Sequence, residues 1–364
     1  EDEHYRYYED KDDELELDYK EGELPTEIDG SEGGIRRIKK MLKDVKGVFS
    51  KALAKEPAKV KEFKLDIKES EWYRGRQAKG CREMSRQKRE AMEKYLTEYK
   101  GILFKSSEAI QASQVNMVPK PVPGEFRFTC DFRALNDCCS KIDYQLPKIW
   151  DILARIGQSG STYFSKIDLT QGFHQVPLAE ESQKFTSFRT PYGNFEYLRM
   201  AMGLKGAPQY FQKIVSDMLA DLRQICEVYI DDILVHASSE EELITNTEKV
   251  LKKLAECKLT ANPRKTFIGL KQLDYLGLTL TQDRQVLVSK KRQEELGEFN
   301  KPTKWKGLKS FLGVANVFHK QVENISILTK TLNKLISGYT RAKANYEIRW
   351  DEESSKAFDT LKER

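Results

Sequence analysis

The chain has 364 residues, 39% of them apolar and 33% charged, with a formal net charge of +5. That length suits two or three compact units or one elongated, multi-lobed enzyme. No stretch approaches the run of about eighteen apolar residues that a membrane span needs, and the opening residues do not read as a secretory signal. The six cysteines (Cys81, Cys130, Cys138, Cys139, Cys226 and Cys257) lack paired C-x-x-C spacing and the four histidines are scattered, which argues against a zinc site and for free thiols in a reducing cell interior.

Charge is unevenly spread. Residues 1–32 hold fifteen Asp/Glu against three Lys/Arg, a balance of −12 that leaves +17 for the remainder. A basic body behind an acidic leader suits a polyanion-binding protein, or equally an ordinary basic protein with a solubilising tail, and charge alone favours the second. Residues 1–34 read as a flexible acidic arm ending in Gly30, Gly33 and Gly34.

The text is then mostly helical to Ser107, with helices expected over Ile38–Phe49 and Ser85–Tyr99 and a short strand over Phe63–Ile67. From Val115 to Leu280 short apolar runs punctuated by Pro and Gly alternate with two clear helices. The first follows Lys205-Gly206, with Pro208 pre-set for an early helical position. Its apolar residues Phe211, Ile214, Val215, Met218, Leu219 and Leu222 form one helical stripe. The second opens on a capping-box pattern, Ser238 with Glu241, and runs to about Cys257. Between them Val228–Val235 places two apolar runs around Asp231-Asp232, the text of a buried hairpin with acids at its turn. An earlier strand, Tyr163–Asp168, also ends on an acid. Strand, helix, strand, strand is an α+β layer with helices on one face, and Lys304–Ile336 returns to helical text.

Nucleotidyl transfer asks mainly for placed metals. Two Mg²⁺ about 4 Å apart activate a 3′-hydroxyl and stabilise leaving pyrophosphate, and hard Mg²⁺ takes oxygen ligands. Asp168 on one strand and Asp231 and Asp232 in a hairpin meet that need if the strands are neighbours. Adjacent strand residues point to opposite faces, so Asp231 is expected to be the closer ligand of that pair. An Asp-Asp in isolation would more simply be a solvated turn.

Tyr229-Ile230-Asp231-Asp232 resembles the Y-x-D-D box of reverse transcriptases, and Phe164–Leu169 followed by Gln171–Val176 resembles the preceding metal-binding box. Further matching segments follow the family's order: Phe128–Asn136, Tyr144–Pro147, Phe188–Gly193, Met202–Pro208, Tyr275–Gly277 and Lys309–Gly313. The pattern is similar to the Pol polyprotein of gypsy-type (metavirus-like) LTR retrotransposons, from about residue 40 onward.

The resemblance implies a right-hand polymerase with fingers, thumb and a ferredoxin-like palm. Its boundaries would be a leader over 1–34, a helical extension over 35–110, fingers and palm over 111–285, a thumb over 286–340, and the start of a connection toward RNase H over 341–364. It implies an RNA-directed DNA polymerase using two Mg²⁺, with Mn²⁺ able to substitute, held by Asp168, Asp231, Asp232 and the carbonyl of Leu169. Lys120 and Arg127 would grip the triphosphate, Phe173 would exclude a 2′-hydroxyl, and Met202 would sit near the base. Tyr229, Leu276, Gly277, Lys304, Lys306 and Lys309 would contact primer and template.

Implied partners are an RNA template, RNA–DNA hybrid, DNA duplex and dNTPs, with no membrane; a homodimer and association with other Pol domains stay open. The implied location is intracellular, in a cytoplasmic virus-like particle or the nucleus. Departures from the family pattern include Met200-Ala201-Met202-Gly203-Leu204 in place of M-P-F-G-L. The acidic RNase H cluster, a protease D-[ST]-G and an integrase zinc motif do not occur, so polymerase chemistry alone is expected of these residues. The alternative is a domesticated, decayed element serving as a nucleic-acid-binding module.

Overall fold

A computed structural model describes residues 23–75, 80–283, 286–316, 318–319 and 322–363. Most of the acidic leader therefore lies outside the described residues. Two compact units divide the chain between Leu270 and Lys271. The larger holds strands β1 (Glu27–Ile28), β2 (Phe104–Ser106), β3 (Ser113–Pro119), β4 (Phe126–Asp131), β5 (Tyr163–Asp168), β6 (Phe188–Thr190), β7 (Gly193–Tyr197), β8 (Cys226–Tyr229), β9 (Asp232–Ala237) and β10 (Phe267–Leu270). They form two five-stranded sheets, in the orders β1-β10-β5-β9-β8 and β2-β7-β6-β3-β4.

The first sheet carries the acids. Its chain order is β5, the helix Ala207–Met218, β8, β9, the helix Glu240–Glu256 and β10. With spatial order β10-β5-β9-β8 and antiparallel pairing throughout those four strands, this is the ferredoxin-like arrangement expected for a palm. The helix Glu240–Glu256 covers the face that Ser165 presents, where Thr247 donates to the Ser165 hydroxyl over 3.1 Å. Strand alternation then turns Lys166 and Asp168 to the opposite face. On that opposite face Arg155, from the helix Ile149–Ser159, grips Glu227 of β8 through two hydrogen bonds of 2.7 Å.

The second sheet is held by rings. Tyr95, on the helix Arg86–Tyr99, stacks on Phe128 at 4.6 Å, and Phe104 meets Phe188 edge-on at 5.6 Å. Such pairs contribute beyond their buried area, on the order of 1 kcal/mol each.

Several elements differ from the sequence expectation for identifiable reasons. The first helix spans Glu32–Asp44 rather than Ile38–Phe49. Ser31 caps it by accepting from the Gly34 N–H at 3.0 Å, and Glu240 accepts both the Ser31 N–H and its hydroxyl at 2.6 Å. The flexible-arm reading fails from Glu27 onward, because β1 pairs in parallel with β10. Phe63 and Ile67 each form only an isolated bridge, to Leu178 and Cys139, so the expected strand is an extended tether. The capping box sits one residue late: Ser239 accepts from the Glu242 N–H while Glu242 reaches back to the Ser238 N–H and hydroxyl. The apolar stripe after Gly206 holds, but the α-helix stops at Met218 and a 3₁₀ turn carries Leu222.

The smaller unit opens with a three-stranded antiparallel sheet, β11 (Gln272–Tyr275), β12 (Leu278–Thr281) and β13 (Val286–Val288). Among the described residues, these strands pair only with one another. The helices Lys290–Gly297, Trp305–Asn316, Ile325–Lys334 and Glu352–Glu363 follow. Phe311 packs on Phe299 at 5.3 Å and on Phe358 at 4.4 Å.

Gly269 in β10 has φ +87°, and a Cβ there would collide with the Asp29 carbonyl oxygen. Gly269→Ala is therefore expected to destabilise the chain by about 1–3 kcal/mol; an unchanged urea midpoint would contradict this close approach.

Candidate active site

The β8–β9 hairpin pairs Tyr229 with Asp232, leaving Ile230 and Asp231 as a two-residue turn. Ile230 has φ +57°, a left-handed conformation that a β-branched residue resists. A buried glutamine holds it there. Gln212 Oε1 accepts the Ile230 N–H at 2.6 Å, while its Nε2 donates to the Val228 carbonyl at 3.0 Å and the Ser216 hydroxyl at 2.9 Å. The Asp231 carbonyl in turn accepts the Leu169 N–H at 3.0 Å, tying the turn to the end of β5.

The β5–β9 register then sets Asp168 directly opposite Asp232. Opposed residues of an antiparallel pair share a face, with Cβ atoms roughly 5 Å apart. Asp168 is 3% exposed and Asp232 fully buried, whereas Asp231 in the turn is partly exposed. Lys166, two residues before Asp168, brings its Nζ to 3.5 Å from Asp232 Oδ1. Facing buried carboxylates repel and are costly to desolvate without cations, and their hard oxygens fit Mg²⁺. Among the described residues, no three His, Cys, Asp or Glu side chains already converge as a metal-binding group.

The loop after Asp168 is pinned from below. Gln175 Nε2 donates to the Thr170 and Thr260 carbonyls at 2.6 and 2.9 Å, and its Oε1 accepts the Thr260 N–H at 2.7 Å. Thr170 donates to the Ser50 carbonyl at 2.6 Å. Phe173 meets the ring of Phe211 edge-on at 5.4 Å. A Cβ on Gly172 would lie 2.7 Å from Phe211 Cζ and 3.5 Å from Asp231 Cβ, so this loop, the helix Ala207–Met218 and the acidic turn are in close contact. Sequence reasoning missed Gln175 and Gln212; the available signal was a glutamine beside buried apolar residues in each helix.

The other expected site residues are distributed as follows. Lys120 and Arg127 share the β3–β4 hairpin. The Lys120 side chain is 7% exposed and its Nζ lies 3.2 Å from Glu125 Oε2. Arg127 is half-buried opposite Val118. Met202 is 44% exposed in a turn beside Gly203. Tyr229 is buried, which pushes its hydroxyl above the ordinary value.

In the smaller unit, Leu276 and Gly277 have φ +54° and +79° and form the two-residue β11–β12 turn. This is the primed-hairpin geometry that glycine favours. Lys304, Lys306 and Lys309 are exposed at the start of the helix Trp305–Asn316, whose Leu308, Phe311, Leu312 and Ala315 are buried.

Gln212→Leu removes the acceptor for the buried Ile230 N–H. The expected cost is about 1–3 kcal/mol, with faster hydrogen exchange at the Ile230 amide. Unchanged exchange there would show that Gln212 does not hold the turn.

Comparison with known proteins finds similarity in sequence and in fold. The reverse transcriptase (RNA-dependent DNA polymerase) family profile matches residues 118–280. The retrovirus-related Pol polyprotein of the Drosophila melanogaster transposon opus is 32% identical over 270 residues, 71% of this chain and 27% of the polyprotein. The Tf2-3 transposon polyprotein of Schizosaccharomyces pombe is 30% identical over 264 residues, 72% of this chain and 19% of the polyprotein. The chain thus spans less than a third of the length of these relatives. In fold it is similar to the foamy viral protease–reverse transcriptase in complex with double-stranded DNA, with TM-score 0.78 at 22% identity over 92% of this chain and 57% of that one. Against the same protein in complex with RNA/DNA hybrid the TM-score is 0.76 at 21% identity, over 92% and 44%.

Proposed function

The chain belongs to the reverse transcriptase family, with retrotransposon Pol polyproteins among its relatives, and from that premise we propose that it is an RNA-directed DNA polymerase extending a primer 3′-hydroxyl with deoxynucleotides. The observation that carries this is the register that sets Asp168 opposite Asp232, with Asp231 in the adjoining turn. Asp168, Asp231, Asp232 and the Leu169 carbonyl would hold two divalent ions, Mg²⁺ or Mn²⁺. When bound, such ions activate the attacking hydroxyl and stabilise pyrophosphate.

The chain's own groups supply the rest. Arg127 offers a planar fork and Lys120 a point charge to the triphosphate; Lys120 leaves Glu125 to do so. Phe173, backed by the Phe211 ring, is a rigid wall against a ribose 2′-hydroxyl. Met202, exposed in its turn, is available to a base. The Leu276–Gly277 turn would support primer backbone, and the exposed Lys304, Lys306 and Lys309 would meet phosphates, making affinity fall with salt.

Duplex DNA and RNA–DNA hybrid are the polymers named with the foamy viral protein of similar fold, and we propose both as ligands of this chain. The gypsy-type origin and an intracellular, particle-associated site of action belong to the same proposal.

The test is extension of oligo(dT) on poly(rA) with dTTP and Mg²⁺, wild type against Asp231→Asn. Wild-type extension falling about a thousandfold or more in the variant is expected for a lost metal ligand. A wild-type chain that binds the hybrid but extends nothing in Mg²⁺ or Mn²⁺ would make it a binding module.

A further inference from the structure

Lys166 takes no part in the chemistry proposed above, yet it lies on the sheet face that carries the acids. The register pairs Lys166 with Leu234 and Asp168 with Asp232, so the lysine stands diagonal to Asp232. Its Nζ is 3.5 Å from Asp232 Oδ1, and the two side chains are 18% and 1% exposed. A lysine on a sheet ordinarily carries its ammonium out to water. This one is turned along the strand toward a carboxylate that is sealed from solvent.

We infer that Lys166 is a resident counter-charge to Asp232: it holds that carboxylate while no divalent ion is present, and competes with the ion for it. The inference rests on the reading of Asp168, Asp231 and Asp232 as a metal site. A buried carboxylate left without a cation is strongly unfavourable, so the ammonium lets the sheet fold before any metal arrives. The same ammonium repels an incoming divalent ion across a few ångströms of poorly screening protein. Free metal therefore binds weakly. A nucleotide's triphosphate reverses the balance with its own negative charge, so metal loading becomes coupled to nucleotide arrival.

The experiment uses the full chain without nucleotide or nucleic acid, and Mn²⁺ alone as the probe, following the loss of the free-ion signal by electron paramagnetic resonance. Lys166→Met is expected to bind Mn²⁺ about tenfold more tightly than wild type, because a nearby repelling charge is gone. Lys166→Arg, which keeps the charge, should stay within about twofold of wild type on the same argument. In metal-free buffer Lys166→Met should melt below wild type and recover more than wild type when Mn²⁺ is added. Lys166→Gln carries the same expectation and covers the case in which the Met variant does not fold.

Mn²⁺ affinity no tighter than wild type in the neutral variants overturns the inference, as does failure of both to fold even with Mn²⁺. Asp168→Asn and Asp231→Asn separate this from the underlying site. If they weaken Mn²⁺ binding while the Lys166 variants leave it unchanged, the metal site stands and the counter-charge role falls. If wild-type binding is indifferent to both aspartates, the metal-site reading falls as well.

Discussion

Everything in the larger unit that bears on chemistry depends on one constraint: two buried carboxylates, Asp168 and Asp232, are made to face each other across an antiparallel strand pair. Left alone, that juxtaposition is unfavourable, since both charges are desolvated and both have the same sign. A strand pair can enforce it because the ladder of β5 and β9 runs unbroken from Tyr163–Ala237 to Asp168–Asp232, and slipping by one residue would move every side chain of β9, buried along its whole length, to the opposite face of the sheet. The helix Glu240–Glu256 locks one face of that ladder through buried contacts such as Thr247 to Ser165. Stability stored along the strands is thus used to hold an unfavourable arrangement at their end.

The two backbone segments next to the acids are held with comparable care. Gln212 stabilises a left-handed Ile230, and Gln175 ties the Thr170 backbone to Thr260. Both side chains are buried amides satisfied by backbone groups, the kind of network that rigidifies when complete. Phe211 fills the remaining space between Gly172 and the Asp231 turn, and presents its ring to Phe173. A phosphoryl-transfer site gains chiefly from fixed positions rather than from reactive side chains. This local order is consistent with such chemistry and unexpected in a surface turn that happens to be acidic.

The larger features were legible because they are local in the sequence. The stripe beginning at Phe211 carries a helical period, Asp231-Asp232 sits between two apolar runs, an earlier strand ends on Asp168, and their order prescribes the α+β layer. What escaped depends on partners distant in sequence. The first helix begins at Glu32 because Glu240, far along the chain, completes the Ser31 cap. Phe63–Ile67 alternates like a strand but has no ladder to join, only bridges at its two ends. The roles of Gln175 and Gln212 are set by which carbonyls and N–H groups the fold delivers to them. Lys166 meets Asp232 only because the fold lays β9 beside β5.

The measurement that bears most directly on the carboxylate site is the number of Mn²⁺ ions held per chain on an RNA template with a dideoxy-terminated primer and the matching dNTP. Two ions for the wild type, with at least one lost in Asp168→Asn, is the expected result. A stoichiometry unchanged by Asp168→Asn would contradict the assignment of the β5–β9 register as the structure that holds the metals.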